Sequence, residues 1–188
     1  MTQWAPEKKD TLRAVASEIL HNYARGRVFV AVDGLDGSGT DGFADDLAAA
    51  FIEQGHAAFR ASLGDFSKPR AQRDSSKGVS GVVDESKLRR MLVEPFRLGG
   101  STGWSPKAFD AVADREVETS WVTGPADAVL VVDGAQLNSP ELATLWNYSI
   151  YVEGASPVGK GDDERFRSTA VIDNRDPAHP RRLFDDAC

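Results

Sequence analysis

The stretch that most constrains this chain is Arg27 to Val32 (RVFVAV), which runs straight into a glycine-rich turn and then a helical pattern. The run is apolar at nearly every position, as in a strand buried on both faces of a parallel sheet. Gly34, Gly37, Gly39 and Gly42 fall within nine residues. Phe43 to Gln54 then reads as a helix closed by Gly55. Strand, turn and helix in that order make an anion site. Glycines let successive amides converge, and the helix N-terminus adds partial positive charge. A tight strand-to-helix turn that merely uses glycine is the plain alternative.

Two phosphate-loop templates compete for the turn. Gly37-Ser38-Gly39-Thr40-Asp41-Gly42 fits the dinucleotide pattern G-x-G-x-x-G, but Gly37 lies five residues past Val32. The next strand, His56 to Ser62, also ends without the carboxylate that would hold a ribose. The Walker A frame G-x-x-x-x-G-K-[ST] begins at Gly34, directly after the strand, and runs through Asp36, Gly37, Ser38 and Gly39. Its lysine position is Thr40 and its Ser/Thr position is Asp41. The usual lysine neutralises phosphate charge and the usual hydroxyl ligates Mg²⁺. Thr40 carries no charge, and Asp41 adds a negative one.

Elsewhere helices alternate with strands. Thr11 to Ala24 is amphipathic, with Asp10 as N-cap. Asp84 to Leu92 is a second helical pattern, capped by Asp84 or Ser86, and Pro140 to Trp146 a short third. Ala128 to Val132, Ser149 to Val152 and Ala170 to Ile172 read as strands. Phe66 to Val82 reads as a polar surface loop, Pro95 to Pro106 as an excursion outside the core, and Phe109 to Trp121 is ambiguous. The pattern predicts a three-layer α/β fold with a parallel sheet of about five strands. Val28–Val32 and Val129–Val132 should be central and adjacent, and residues 1–188 should form one domain.

Composition narrows the function classes. The net charge is -7 with no stripe of Lys and Arg, so neither nucleic acid nor an anionic membrane is expected as a partner. A polyanion must be held locally. Cys188 is the only cysteine, so no internal disulfide forms, and a cytoplasmic location is expected. His21, His56 and His179 lack zinc-ligand spacing.

The sequence resembles the uridine kinase family of P-loop phosphotransferases, particularly its compact bacterial members. The resemblance rests on Asp36-Gly37-Ser38-Gly39, on the helix Phe43-Ala44-Asp45-Asp46-Leu47 and on Arg60-Ala61-Ser62-Leu63-Gly64-Asp65-Phe66. It extends to Val129–Gly134, Pro140-Glu141-Leu142, Leu145-Trp146 and Val171-Ile172-Asp173-Asn174. It implies a P-loop kinase fold with ATP and Mg²⁺ as cofactors and a nucleotide, phosphate or nucleoside-like small molecule as ligand. The loop Gly34, Asp36, Gly37, Ser38, Gly39, Thr40 and Asp41 would take the phosphates. Asp65 and Asp133 are the candidate catalytic carboxylates, and Asp41 and Asp133 the candidate Mg²⁺ ligands. Asp84, Phe109 and Arg165 fall where substrate-binding groups would stand. For Asp84 and Phe109 a helix cap and a core aromatic are the competing readings, and for Asp133 a turn-forming Asp-Gly pair.

The sequence departs from the family in three catalytic elements: the lysine, the hydroxyl and the lid. The family's base-like carboxylate aligns with Gly64, one residue before Asp65, and a one-residue shift in an extended segment reverses side-chain direction. Only Gly154 to Ser168, with Lys160, Arg165 and Arg167, remains where a long helical lid would be. Three readings stay open. The chain is a uridine kinase relative with impaired or lost transfer and weak anion binding. Or it is a working nucleoside or small-molecule kinase, with Asp36, Asp41 and Asp133 holding Mg²⁺ and a loop arginine or Lys160 replacing the lysine. The third is a dinucleotide-binding module.

Overall fold

Residues 7–23, 25–155 and 162–184 are described by the structure, a computed structural model; Lys160 and Cys188 lie outside them. The order is α1 (Lys8–Asn22), β1 (Val28–Asp33), α2 (Thr40–Glu53), β2 (Ala58–Ser62), α3 (Val79–Val82), α4 (Glu85–Leu88) and α5 (Glu94–Leu98). It continues with β3 (Phe109–Asp110), β4 (Arg115–Glu116), β5 (Val129–Gly134), β6 (Tyr148–Glu153), α6 (Asp162–Arg167), β7 (Ala170–Asp173) and β8 (Arg181–Leu183).

The main sheet runs β2-β5-β1-β6-β7-β8. All its pairings are parallel except that of the edge strand β8, which is antiparallel. The two apolar strands are adjacent and interior, with Val30 opposite Val131. β2 sits outside β5, so the strands flanking β1 are β5 and β6. A dinucleotide fold places its second strand beside its first, and this order therefore excludes the dinucleotide topology.

Side chains along β1 alternate between two cores, as a period of two requires. Val28, Val30 and Val32 join Leu12, Val15 and Ile19 of α1 and Phe43, Leu47 and Phe51 of α2. Phe29 and Ala31 join Leu88, Leu92, Phe96, Trp104 and Trp146 on the opposite face. Helices therefore cover both faces of the sheet, giving the three layers. Between α4 and α5 the chain keeps helical geometry through a π turn, Arg89–Val93.

Several local expectations are corrected. Pro95 to Pro106 is no excursion: Phe96 and Trp104 are fully buried and stack edge-to-face at 4.9 Å. Glycines around them disguise two large apolar anchors. Phe66 and Val79 are also buried, so 66–82 is pinned to the core at both ends. Pro140 to Trp146 yields only the 3₁₀ turn Ala143–Leu145. The ambiguous segment opens with the small β3–β4 hairpin. Helix α1 starts earlier than expected, with Glu7 rather than Asp10 at its N-cap. After β2 the chain turns at once into a 3₁₀ segment, Leu63–Phe66. Gly64 and Asp65 are thus not in an extended strand, and the side-chain reversal expected from one does not apply.

Candidate functional site

The glycine-rich turn lies at the C-terminal ends of β1, β5 and β6, where open α/β sheets place their ligands. Gly37 and Gly39 have φ of 82° and 83°, and Gly39 is the left-handed N-cap of α2. Gly34 has no room for a side chain: a Cβ there would stand 2.5 Å from Ser38 Oγ and 2.7 Å from the Val152 carbonyl oxygen. The loop is closed internally by the Ser38 amide, which donates to the Leu35 carbonyl at 3.0 Å. That amide is therefore turned inward, and an anion would meet the first-turn amides of α2, which lack helical partners.

Thr40 and Asp41 are the first two residues of α2, the positions that the Walker A frame of the sequence assigns to a lysine and a hydroxyl. The Thr40 methyl folds back toward Gly34, 2.9 Å from where a Cβ would be. Asp41 points out of the helix with a side chain 83% exposed. Asp36 is exposed at the loop tip.

Arg60, on β2, organises the side of the loop facing β5. Its Nη2 lies 3.2 Å from Asp41 Oδ1 and 3.0 Å from Asp133 Oδ1, and its Nε donates to Asp45 Oδ1 at 2.8 Å. Its Nη1 donates to the Val131 carbonyl at 3.1 Å. Asp133 is buried at the end of β5 and also accepts from Ser62 Oγ at 3.3 Å. Burial pushes the Asp133 carboxyl above its ordinary value, with the Arg60 guanidinium pulling the other way. Both sequence-predicted metal ligands are thus brought together, on one guanidinium. Mg²⁺ demands near-octahedral oxygen ligands at about 2.0–2.1 Å, and these carboxylates are arranged around a planar cation instead.

Asp33 stands at the root of the loop and is buried. Its oxygens accept from the Gly34 amide at 2.8 Å and the Asn138 amide at 2.7 Å. It therefore ties the loop to the turn after β5. Burial, opposed by those amides, raises its carboxyl to about 6. Beside it opens a cleft of about 240 Å³ whose lining includes Asp33, Asp36 and Glu164. On the opposite flank a cleft of about 330 Å³ is lined by Lys8, Gly37, Gly39, Gly42, Asn174 and Arg175. Asn174 donates to the Ser38 carbonyl at 3.0 Å, and its Oδ1 and the Ser38 hydroxyl are buried without hydrogen-bond partners. Lys8 pairs with Asp46.

The remaining predicted residues lie apart from this loop. Asp65 pairs with Lys107 Nζ at 3.1 Å in the 3₁₀ segment. Asp84 caps α4, accepting from the Lys87 amide at 3.0 Å. Phe109 is buried in the hairpin, with the Arg73 guanidinium 5.9 Å from its ring centre. Arg165, on α6, donates to Glu153 Oε1 at 2.5 Å, joining the six-residue helix to the end of β6. Arg60, Asp33 and Lys8 escaped sequence reasoning. The one signal for Arg60 is a lone cation inside a weak strand, HAAFRAS. In the sequence Asp33 is only the first residue of the turn.

No family model matches the chain, and no curated protein matches it in sequence. Its fold does match solved structures. One is a protein assigned as a uridine kinase from Bacillus stearothermophilus, with TM-score 0.65, 19% identity, and 85% of this chain and 88% of that one covered. Another is assigned as a fructose transport system kinase from Silicibacter sp. TM1040, with TM-score 0.59, 23% identity, and 83% and 78% covered. The fold is that of uridine kinase-like P-loop kinases. No helix among the described residues is long and apolar enough to cross a membrane.

Proposed function

Starting from a uridine kinase-like P-loop fold, we propose that this chain binds a nucleotide, phosphate or nucleoside-like small molecule weakly and has lost most or all phosphotransferase activity. The observation that carries the reading is the start of α2, where Thr40 and Asp41 occupy the lysine and hydroxyl places. A phosphoryl group in flight spreads negative charge over its oxygens, and its transfer depends on cations placed around them. Here the loop offers backbone amides and glycine shape. The nearest strand-borne cation, Arg60, is already held by three carboxylates.

An anion fits the flank facing α1 better than the flank facing β5. Lys8, paired with Asp46, and Arg175, paired with Asp173, line the first together with the loop glycines, each facing one carboxylate where Arg60 faces three. Asp33, Asp36 and Glu164 line the cleft at the strand ends. A cytoplasmic, nucleotide-sensing or regulatory role accords with binding in the absence of turnover. The working-kinase alternative, with Asp36, Asp41 and Asp133 around Mg²⁺, is weakened by the hold of Arg60 on two of the three.

A coupled assay with uridine or cytidine, ATP and Mg²⁺ tests the reading. Turnover should be undetectable or far below the usual enzyme range of about 1–10³ s⁻¹. A rate near 1 s⁻¹ would establish a working kinase instead.

A further inference from the structure

The carboxylate cluster beside the loop has a buried member whose charge must be answered. Asp133 Oδ1 is buried and takes no hydrogen bond, yet Arg60 Nη2 stands 3.0 Å from it as an ion pair. A buried charge without a partner is costly, and removing one partner of such a pair leaves that cost exposed. Arg60 answers Asp133 from β2, the neighbour of β5, where Ser62 and Asp133 are in register.

The same guanidinium reaches Asp41 and Asp45, in the first turns of α2, and the Val131 carbonyl on β5. It is therefore fixed at the crossing of helix, strand end and loop. A divalent ion entering between Asp41 and Asp133 would have to displace a planar cation whose Nε is held by Asp45 and whose Nη2 stands against both Asp41 and Asp133. Lysine could not do this, because its single ammonium could not bridge three carboxylates in a fork.

We propose that Arg60 is a built-in substitute for the divalent cation: it fills the place between Asp41 and Asp133, so that no divalent ion is held by that carboxylate pair. The proposal rests on the reading of the turn as a phosphate loop, but its test does not require nucleotide binding. Three carboxylates surround one guanidinium, so the cluster keeps a residual negative charge. That charge repels phosphate on this flank and leaves an anion the flank lined by Lys8 and Arg175. Taking Arg60 away uncovers a carboxylate pair of the hard oxygen kind that Mg²⁺ and Mn²⁺ prefer.

Mn²⁺ is the probe, followed by electron paramagnetic resonance on the protein without nucleotide. The wild-type protein should show no site tighter than about 1 mM. Arg60→Gln should gain about tenfold or more in Mn²⁺ affinity, and Arg60→Gln with Asp133→Asn should lose that gain. Cooperative thermal unfolding by circular dichroism shows that each variant is folded. Arg60→Met, which keeps the length of the stem, serves if Arg60→Gln does not fold. A folded Arg60 variant with no gain overturns the proposal. So does a tight wild-type Mn²⁺ site that Asp133→Asn removes, a result that needs no Arg60 variant. Weak nucleotide binding by itself would bear on the phosphate-loop reading and leave these metal measurements unchanged.

Discussion

Arg60 Nη2 and Asp133 Oδ1 lie 3.0 Å apart across the parallel pair β2 and β5. This contact sets the electrostatics of the loop it adjoins. Asp133 is buried near the end of β5, the place that the kinase-like reading gives to a metal-organising carboxylate, and here a side chain of the same molecule faces it as an ion pair. Asp41, at the start of α2, is drawn to the same cation. Under the proposed reading, Gly34, Gly37 and Gly39 keep the turn's tight glycine geometry, whereas the charges needed for transfer are absent or spent.

Restoring those charges should recover binding before catalysis. Thr40→Lys with Asp41→Thr replaces a local repulsion by an attraction and should raise ATP affinity about thirtyfold. With Arg60 still on Asp133, that gain should not depend on Mg²⁺, and adding Arg60→Gln should make it do so. Calorimetry with and without Mg²⁺ reads both outcomes. No gain in the double variant would mean that the turn is not in phosphate-loop geometry.

Asp33 gives the chain a pH dependence of unusual sign. Its carboxyl rises from 3.8 to about 6 on folding, a shift equivalent to about 3 kcal/mol. A raised acid favours the fold while it is protonated. Its contribution is therefore full below pH about 4, falls as pH rises between about 4 and 6, and is gone above that. Urea unfolding of wild type and Asp33→Asn at pH 4.5 and pH 7 isolates it. The wild type should gain about 2 kcal/mol relative to the variant on acidification; a gap independent of pH would refute the assignment.

Two glycine substitutions should act in opposite directions. A Cβ on Gly154 would lie 2.6 Å from Ser38 Cα, so Gly154→Ala must push the loop off β6, at a cost of about 1–3 kcal/mol. Gly42, inside α2, has nothing within 4 Å of its Cβ position. Gly42→Ala should stabilise the helix by about 0.5–1 kcal/mol. Chemical denaturation of both variants checks the pair, and a destabilising Gly42→Ala would show that the amide nest needs glycine there.

What the sequence made legible was what depends on local pattern. The unbroken apolar runs of β1 and β5 demanded burial on both faces, and they are interior neighbours. Asp84 was readable as a cap because its side chain bonds an amide three residues on. Trp104 was hidden because Phe59, edge-to-face on its ring, and Arg27, whose guanidinium lies over it, come from distant segments. Arg60 was hidden for the same reason. Nothing near it in sequence shows that β2 lies beside β5 and that α2 crosses above both. The expected lid cation Lys160 lies outside the described residues. Arg165 proved to bind Glu153, a pairing that spacing along the chain does not specify.

The cation-bearing flank offers an independent check on where an anion sits. Lys8→Ala with Arg175→Ala should weaken pyrophosphate binding about tenfold or more, since two charges beside the loop amides are removed. Lys8 also pairs with Asp46, so Lys8→Arg should keep both the pairing and the binding. Unchanged affinity in the double alanine variant would move the anion to another face of the loop.

Calorimetric titration of the wild-type protein with ATP, in the presence and absence of Mg²⁺, tests the central claim most directly. A loop with amides, Thr40 and Asp41 but no lysine, beside a carboxylate already answered by Arg60, should bind ATP more weakly than about 100 µM, with no change on adding Mg²⁺. Micromolar binding that appears only with Mg²⁺ would contradict it, because the metal would then have to displace Arg60 from Asp41 and Asp133.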